Sequence, residues 1–160
     1  MAYPFSITHL RPDDHPAVIS VIADWWSGRD LTHLLPRLFF DHFSDSSYVV
    51  RDEGELVAFL IAFLSQSIKD MGYIHFIGVH PSFRKQGLGA HLYERFFDFC
   101  RSQDRHLVKS CTSPVNKGSI EFHRRMGFTI VAGDAQIDGV DVQLDYNRPD
   151  DPKVIFLKKL

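Results

Sequence analysis

Cysteine is scarce in this chain: Cys100 and Cys111 are the only two thiols in 160 residues. They form no CxxC pair, which excludes a disulfide framework and a cysteine-built zinc module. Both fall in apolar segments and read as reduced core thiols. The nine histidines do not supply a metal site either, because no pair has HxxxH or HExxH spacing. Excess charge is missing too: 18 basic against 20 acidic residues give a net charge of -2 and a pI near 6.5. That balance offers no electrostatic grip on nucleic acid or on an anionic membrane. Long apolar runs are absent; the longest, residues 56–64, is too short to span a bilayer and suits a buried strand. The start, Met1-Ala2-Tyr3-Pro4-Phe5, has no basic segment followed by an apolar run, so no signal peptide is expected. With the reduced thiols, this gives a cytoplasmic expectation.

What is present is ordinary for a globular protein: 44% apolar and 24% charged residues. The length gives one domain, 1–160, with a substantial core. The alternation of 5–10 predicts a first strand. Pro12, Asp13 and Asp14 start a helix that Gly28 ends. An aromatic-rich second helix is expected over 34–43. Strands at 47–51 and 55–64 flank a Glu53-Gly54 hairpin turn. A strand at 73–80 stops at Pro81, and a helix follows over 87–103 with Leu88, Leu92, Phe96, Phe99 and Cys100 inward. A strand at 106–112, a helix at 116–126 closed by Gly127, and strands at 128–131, 140–144 and from 154 complete an α/β chain with a mixed sheet.

The most informative stretch joins the strand at 73–80 to its helix through Arg84-Lys85-Gln86-Gly87-Leu88-Gly89. Amides at a helix start have no intrahelical partner, and the helix dipole adds positive charge, so such an end suits phosphate. Two familiar phosphate turns are excluded. The GxxxxGK of a P-loop is absent. Gly87-Leu88-Gly89 runs on into Ala90-His91-Leu92, without the third glycine of a dinucleotide fingerprint.

The turn resembles the R/Q-x-x-G-x-G/A signature of the GNAT superfamily of N-acetyltransferases. Ile77-Gly78-Val79-His80-Pro81 resembles the strand that precedes it in that family. Asn116, His123 and Gly127-Phe128 resemble its second conserved block. The element order matches almost throughout. The resemblance implies a mixed, mostly antiparallel sheet of six or seven strands, flanked by about four helices, with splayed fourth and fifth strands. It implies direct transfer of an acetyl group from acetyl-CoA to a primary amine, with no metal. The main chain at Ile77, Gly78 and Val79 would hold pantetheine, as an added strand would. The amides of Lys85, Gln86, Gly87, Leu88, Gly89 and Ala90 would hold pyrophosphate, with Arg84 and Lys85 adding charge. Gly78 also has a plainer reading, as a glycine that spares a clash. Asn116 would cap its helix and touch the pantetheine arm.

An alkylamine, with a pKa near 10.4, must lose a proton before it attacks. His75 stands where the family often has a base, and imidazole accepts a proton near neutrality. A backbone amide near Val79 is the family's usual oxyanion donor. His123 occupies the place of the family's usual Tyr proton donor. This departure keeps open the alternative of a non-catalytic acyl-CoA-binding sensor or partner-binding protein of the same fold. A longer acyl donor also remains open. On the acceptor side, Trp26, Arg29 and His33 could form a pocket that stacks a ring or grips an anion. Phe39, Phe40 and Phe43 read as core. The acceptor would be a small-molecule or peptide amine, and this fold often forms homodimers.

Overall fold

The computed structural model describes residues 4–160; of the N-terminal stretch read for a signal peptide, Met1–Tyr3 lie outside the described residues. In chain order the elements are β1 (Ile7–His9), α1 (His15–Trp25), α2 (Leu38–His42), β2 (Tyr48–Asp52), β3 (Glu55–Leu64), β4 (Met71–Val79), α3 (Leu88–Ser102), β5 (Leu107–Thr112), α4 (Lys117–Arg125), β6 (Thr129–Ile130), β7 (Ala135–Ile137), β8 (Val140–Val142) and β9 (Val154–Lys159). A mostly antiparallel sheet of seven strands has the order β1-β2-β3-β4-β5-β9-β6, and β7-β8 is a separate ribbon. The parallel step is β4 on β5, with Met71, Gly72 and Tyr73 opposite Leu107, Val108 and Lys109. The seven-stranded sheet and four α-helices among the described residues match the expected fold class. Internal contacts divide the chain into two compact units: Met1–Leu64 with Ile74–Phe99, and Ser65–Tyr73 with Cys100–Leu160.

The first unit is built on the β2-β3 hairpin. Its turn residues Glu53 and Gly54 both have positive φ (48° and 88°), the mirror-image turn whose twist matches that of the strands it joins. The expected start of α1 is a 3-10 turn, Pro12–Asp14, and the α-helix begins at His15. Asp14 is buried there, accepting from the Arg11 amide at 2.7 Å and from the Arg51 guanidinium. At the other end Ser27 and Gly28 turn left-handed (φ 54° and 86°), and the Gly28 amide returns to the Ala23 carbonyl at 2.7 Å. Val18, Ile22 and Trp25 of α1 pack with Leu35, Phe40, Val49, Phe59, Ile61 and Phe76 into one core.

The second helix is shorter than the expected 34–43. Thr32–Leu34 is a 3-10 turn, and Leu35 leaves helical geometry (φ -123°, ψ 52°). The ring of Pro36 disfavours the helical conformation in the residue before it, which confines α2 to Leu38–His42. The inward face of α3 also differs from expectation. Tyr93 and Phe97 are fully buried beside Leu88, Leu92, Phe96 and Cys100, whereas Phe99 is only half-buried. Tyr93 and Phe97, one turn apart, meet edge to face with centroids 5.9 Å apart.

In the second unit β9 lies between β5 and β6, antiparallel to both. Asn116 caps α4 as expected: its Oδ1 accepts from the Ser119 amide at 3.2 Å. Gly127 (φ 84°) closes the helix, with the Phe128 amide on the His123 carbonyl at 3.0 Å. The strand expected over 140–144 stops at Val142. Its partner β7 was not foreseen; the two meet around Asp138-Gly139, again a turn with two positive φ angles. Both cysteines are free thiols, Cys100 buried and Cys111 half-buried. No helix among the described residues is long and apolar enough to cross a membrane.

Candidate functional site

The basic turn is shaped by two left-handed residues, Lys85 (φ 61°) and Gly87 (φ 85°). A Cβ on Gly87 would meet nothing closer than the His91 ring at 3.6 Å, so conformation, and not space, calls for glycine there. The first intrahelical bond of α3 runs from the His91 amide to the Gly87 carbonyl at 3.0 Å. Helix geometry therefore leaves the amides of Leu88, Gly89 and Ala90 without an intrahelical acceptor, at the positive end of the dipole. Leu88 is buried and anchors the helix start, while Lys85, Gln86 and Gly87 are exposed. Gln86 bends back, donating from Nε2 to the Ser82 carbonyl at 3.1 Å.

Arg84 and Lys85 were expected to add charge alike, but the structure separates them. The Arg84 guanidinium donates from Nε to the Val79 carbonyl (3.1 Å) and from Nη2 to the Trp25 carbonyl (2.5 Å). It braces main chain on both sides of the turn. Both residues are exposed, and the guanidinium of Arg84 is the one committed to main-chain carbonyls.

The His80 amide bonds the Val57 carbonyl at 2.8 Å, so this position faces β3. Strand alternation then turns the N–H and C=O groups of Val79 and Ile77 to the opposite edge of β4. Gly78, between them, is a packing necessity: a Cβ there would sit 2.5 Å from Cε1 of Phe59 and 2.8 Å from Cη2 of Trp26. Two aromatic rings cross over it, which bears out the plainer reading of this glycine.

His75 lies on the other face of the strand from Phe76 and is half-buried. Its Nε2 is 2.5 Å from the Leu34 carbonyl, and its ring stacks on Phe39 with centroids 4.2 Å apart and planes 12° from parallel. A carbonyl can only accept, so Nε2 carries the proton and Nδ1 the lone pair. Burial holds the imidazole pKa below its usual value, against a smaller opposing push from the Leu34 bond. At neutral pH the ring is uncharged and basic at Nδ1.

The acceptor-side residues divide. Trp26 is half-buried against Phe76 and Phe59, with centroids 5.0 and 6.4 Å away, so part of the expected stacking surface is engaged in packing. Arg29 and His33 are exposed. Phe40 is buried; Phe39 and Phe43 are half-buried, and Phe39 serves as the platform for His75.

His123 and Asn116 belong to the second unit. His123 is buried, with its ring parallel to Phe156 at 4.1 Å and edge-on to Phe128 at 5.1 Å. Its Nδ1 donates to the Ser119 carbonyl at 2.8 Å. Burial pushes its pKa down to about 4, so at pH 7 it is neutral and Nε2 bears a lone pair where a proton donor would bear hydrogen. The same unit holds a group the sequence did not signal, because no motif spacing links its members. The Tyr73 hydroxyl lies 3.5 Å from the Cys111 sulfur, and burial together with Cys111 drives the pKa of Tyr73 and of Tyr146 up. Both phenols keep their protons through the physiological range. No group of three or more His, Cys, Asp or Glu side chains among the described residues is arranged to hold a metal ion.

Residues 10–128 match the model of the Acetyltransferase (GNAT) family. The chain belongs to that family. It is 31% identical over 86 residues to an L-2,4-diaminobutyric acid acetyltransferase of Shouchella clausii, covering 54% of this chain and 48% of that protein. It is 35% identical over 60 residues to an uncharacterized N-acetyltransferase of Methanocaldococcus jannaschii, covering 38% of this chain and 26% of that protein. The matched stretches thus span a quarter to a half of these relatives' lengths. Among solved structures, Ard1 from Thermoplasma volcanium superposes with a TM-score of 0.79 at 22% identity, over 99% of both chains. The diaminobutyrate acetyltransferase EctA from Paenibacillus lautus, solved with L-2,4-diaminobutyric acid and coenzyme A, superposes with a TM-score of 0.69 at 20% identity, over 95% of this chain and 93% of that one. At these identities the superpositions speak for the fold.

Proposed function

We propose that this chain is an acetyl-CoA-dependent N-acetyltransferase acting on a small primary amine. The observation that carries the reading is the juxtaposition within the first unit of an amide-rich helix start and an uncharged, oriented imidazole on the strand that leads into it. The residues fit the co-substrate. The amides of Leu88, Gly89 and Ala90, with Lys85 and the left-handed turn, suit a pyrophosphate. The outward N–H and C=O groups of Ile77 and the N–H of Val79 suit the amides of pantetheine. Asn116 is a further candidate for the pantetheine arm. Acetyl-CoA supplies an activated thioester when bound.

The chain's own contribution is to orient the amine and to remove its proton. An alkylammonium does not attack, and the basic Nδ1 of His75 accepts the proton directly or through one water. The Leu34 carbonyl fixes the tautomer, and Phe39 fixes the ring plane. Arg29 and His33, both exposed, are candidates for an acidic group on the acceptor, a reading that the diaminobutyric acid acetyltransferase relative supports.

The neutral Nδ1-bound tautomer of His123 favours a second reading. A site without a proton donor at that position suits an acyl-CoA-binding sensor of the same fold. One assay separates the two: free CoA release from acetyl-CoA over a panel of amines that includes L-2,4-diaminobutyrate, polyamines and peptide N-termini. Release above background with at least one amine is expected. Acetyl-CoA binding without release for any amine would leave the sensor reading.

A further inference from the structure

The segment between α1 and α2 is held at both ends by the strand and turn proposed to bind acetyl-CoA. At its start, the Trp25 carbonyl, one of the last of α1, accepts from Arg84 Nη2 at 2.5 Å. At its end, the Leu34 carbonyl accepts from His75 Nε2 at 2.5 Å. Between these anchors the chain passes through left-handed Ser27 and Gly28, exposed Arg29 and Asp30, and the 3-10 turn Thr32–Leu34. Local bonds within it are short-range: Arg29 amide to Trp26 carbonyl at 3.1 Å, Thr32 amide and Oγ1 to Asp30 Oδ1 at 3.0 and 2.6 Å, Leu34 amide to Leu31 carbonyl at 3.0 Å, and Leu35 amide to Thr32 carbonyl at 3.0 Å. Trp26, Leu31 and Leu34 pack against the core, and the Arg84 and His75 bonds tie the two ends of the segment to the turn and to β4.

We propose that Arg84 is a positioning residue that transmits occupancy of the anion turn to residues 26–34. The planar guanidinium reaches two carbonyls at once, Val79 at the end of β4 and Trp25 at the end of α1. A cation at a helix C-terminus is favourable in itself, and a charged donor strengthens both bonds. The backbone of Arg84 opens the turn, next to left-handed Lys85. When a pyrophosphate fixes the amides that follow, it also fixes the base of the Arg84 side chain. The far end of that side chain holds the start of the segment. Linkage makes the effect reciprocal: whatever orders 26–34 raises affinity at the turn by the same factor. This rests on the acetyltransferase reading, in which 26–34 carries the acceptor-side residues Arg29 and His33.

The test is hydrogen exchange of the full chain with and without saturating acetyl-CoA, in wild type, Arg84→Ala and Arg84→Lys. In wild type, acetyl-CoA is expected to slow exchange in 84–91 and also in 26–35, the latter about fivefold or more, the low end of measured couplings. In Arg84→Ala the slowing at 84–91 persists and that at 26–35 is lost. Arg84→Lys, which keeps the charge but not the planar fork, is expected to lose most of it as well. A purely structural arginine would instead change exchange in 26–35 by one factor, with or without acetyl-CoA, and that result would overturn the proposal. So would undiminished coupling in either variant, or wild-type protection confined to 84–91. Absence of protection at 84–91 in wild type would refute the acetyl-CoA reading itself, and this proposal with it.

Discussion

Replacing His123 by Phe should make the protein less sensitive to acid. The imidazole is 2% exposed, and its pKa is pushed down from the usual 6.5 to about 4 by burial. The unfolded chain therefore takes up a proton near pH 6.5, and the folded chain only near pH 4. The group's contribution is fully present above pH 6.5 and is lost as pH falls toward 4, because protons favour the unfolded state in that window. Each unit of difference corresponds to about 1.4 kcal/mol, so the whole window amounts to about 3 kcal/mol. Between pH 7 and pH 5 the loss is about 2 kcal/mol.

A phenyl ring at 123 keeps the stack on Phe156 and removes the titration. It also removes the Nδ1 bond to Ser119, at a cost of about 1 kcal/mol. His123→Phe should thus be about 1 kcal/mol less stable than wild type at pH 7 and about as much more stable at pH 5. Urea unfolding at both pH values, followed by tryptophan fluorescence, measures the crossing. Contributions common to both proteins cancel in the comparison. An equal loss of stability from pH 7 to pH 5 in the two proteins would refute the reasoning.

Two further outcomes are expected. Gly78→Ala drives a methyl into Phe59 and Trp26, and should destabilise by about 1–3 kcal/mol, read as a lowered urea midpoint; an unchanged midpoint would show that the rings yield freely. His75→Ala should lower the turnover of a responsive amine about a hundredfold and remove the acid limb of the pH-rate profile. In wild type that limb should lie below pH 6.5, because burial lowers the His75 pKa and the uncharged form is the base. A profile that keeps its acid limb in the variant would dismiss His75 as the base.

The local punctuation of this chain was legible in its sequence. Glu53-Gly54, Gly127 and the Asn116 cap do in the structure what their chemistry dictates, because each depends on residues adjacent in the chain. The strand, basic turn and helix at 71–102 were readable for the same reason. What depends on distant partners was not. The sequence placed Arg84 at an anion, whereas its donors reach Trp25, 59 residues away. It offered His123 as a proton donor, yet a buried aromatic cage leaves it uncharged, with its N–H committed to Ser119. It left the role of Gly78 open, and only the crossing of two rings decides it. Residue type and spacing determine backbone conformation and the menu of chemistry, while burial and through-space neighbours determine which proton a side chain carries and which bond it makes.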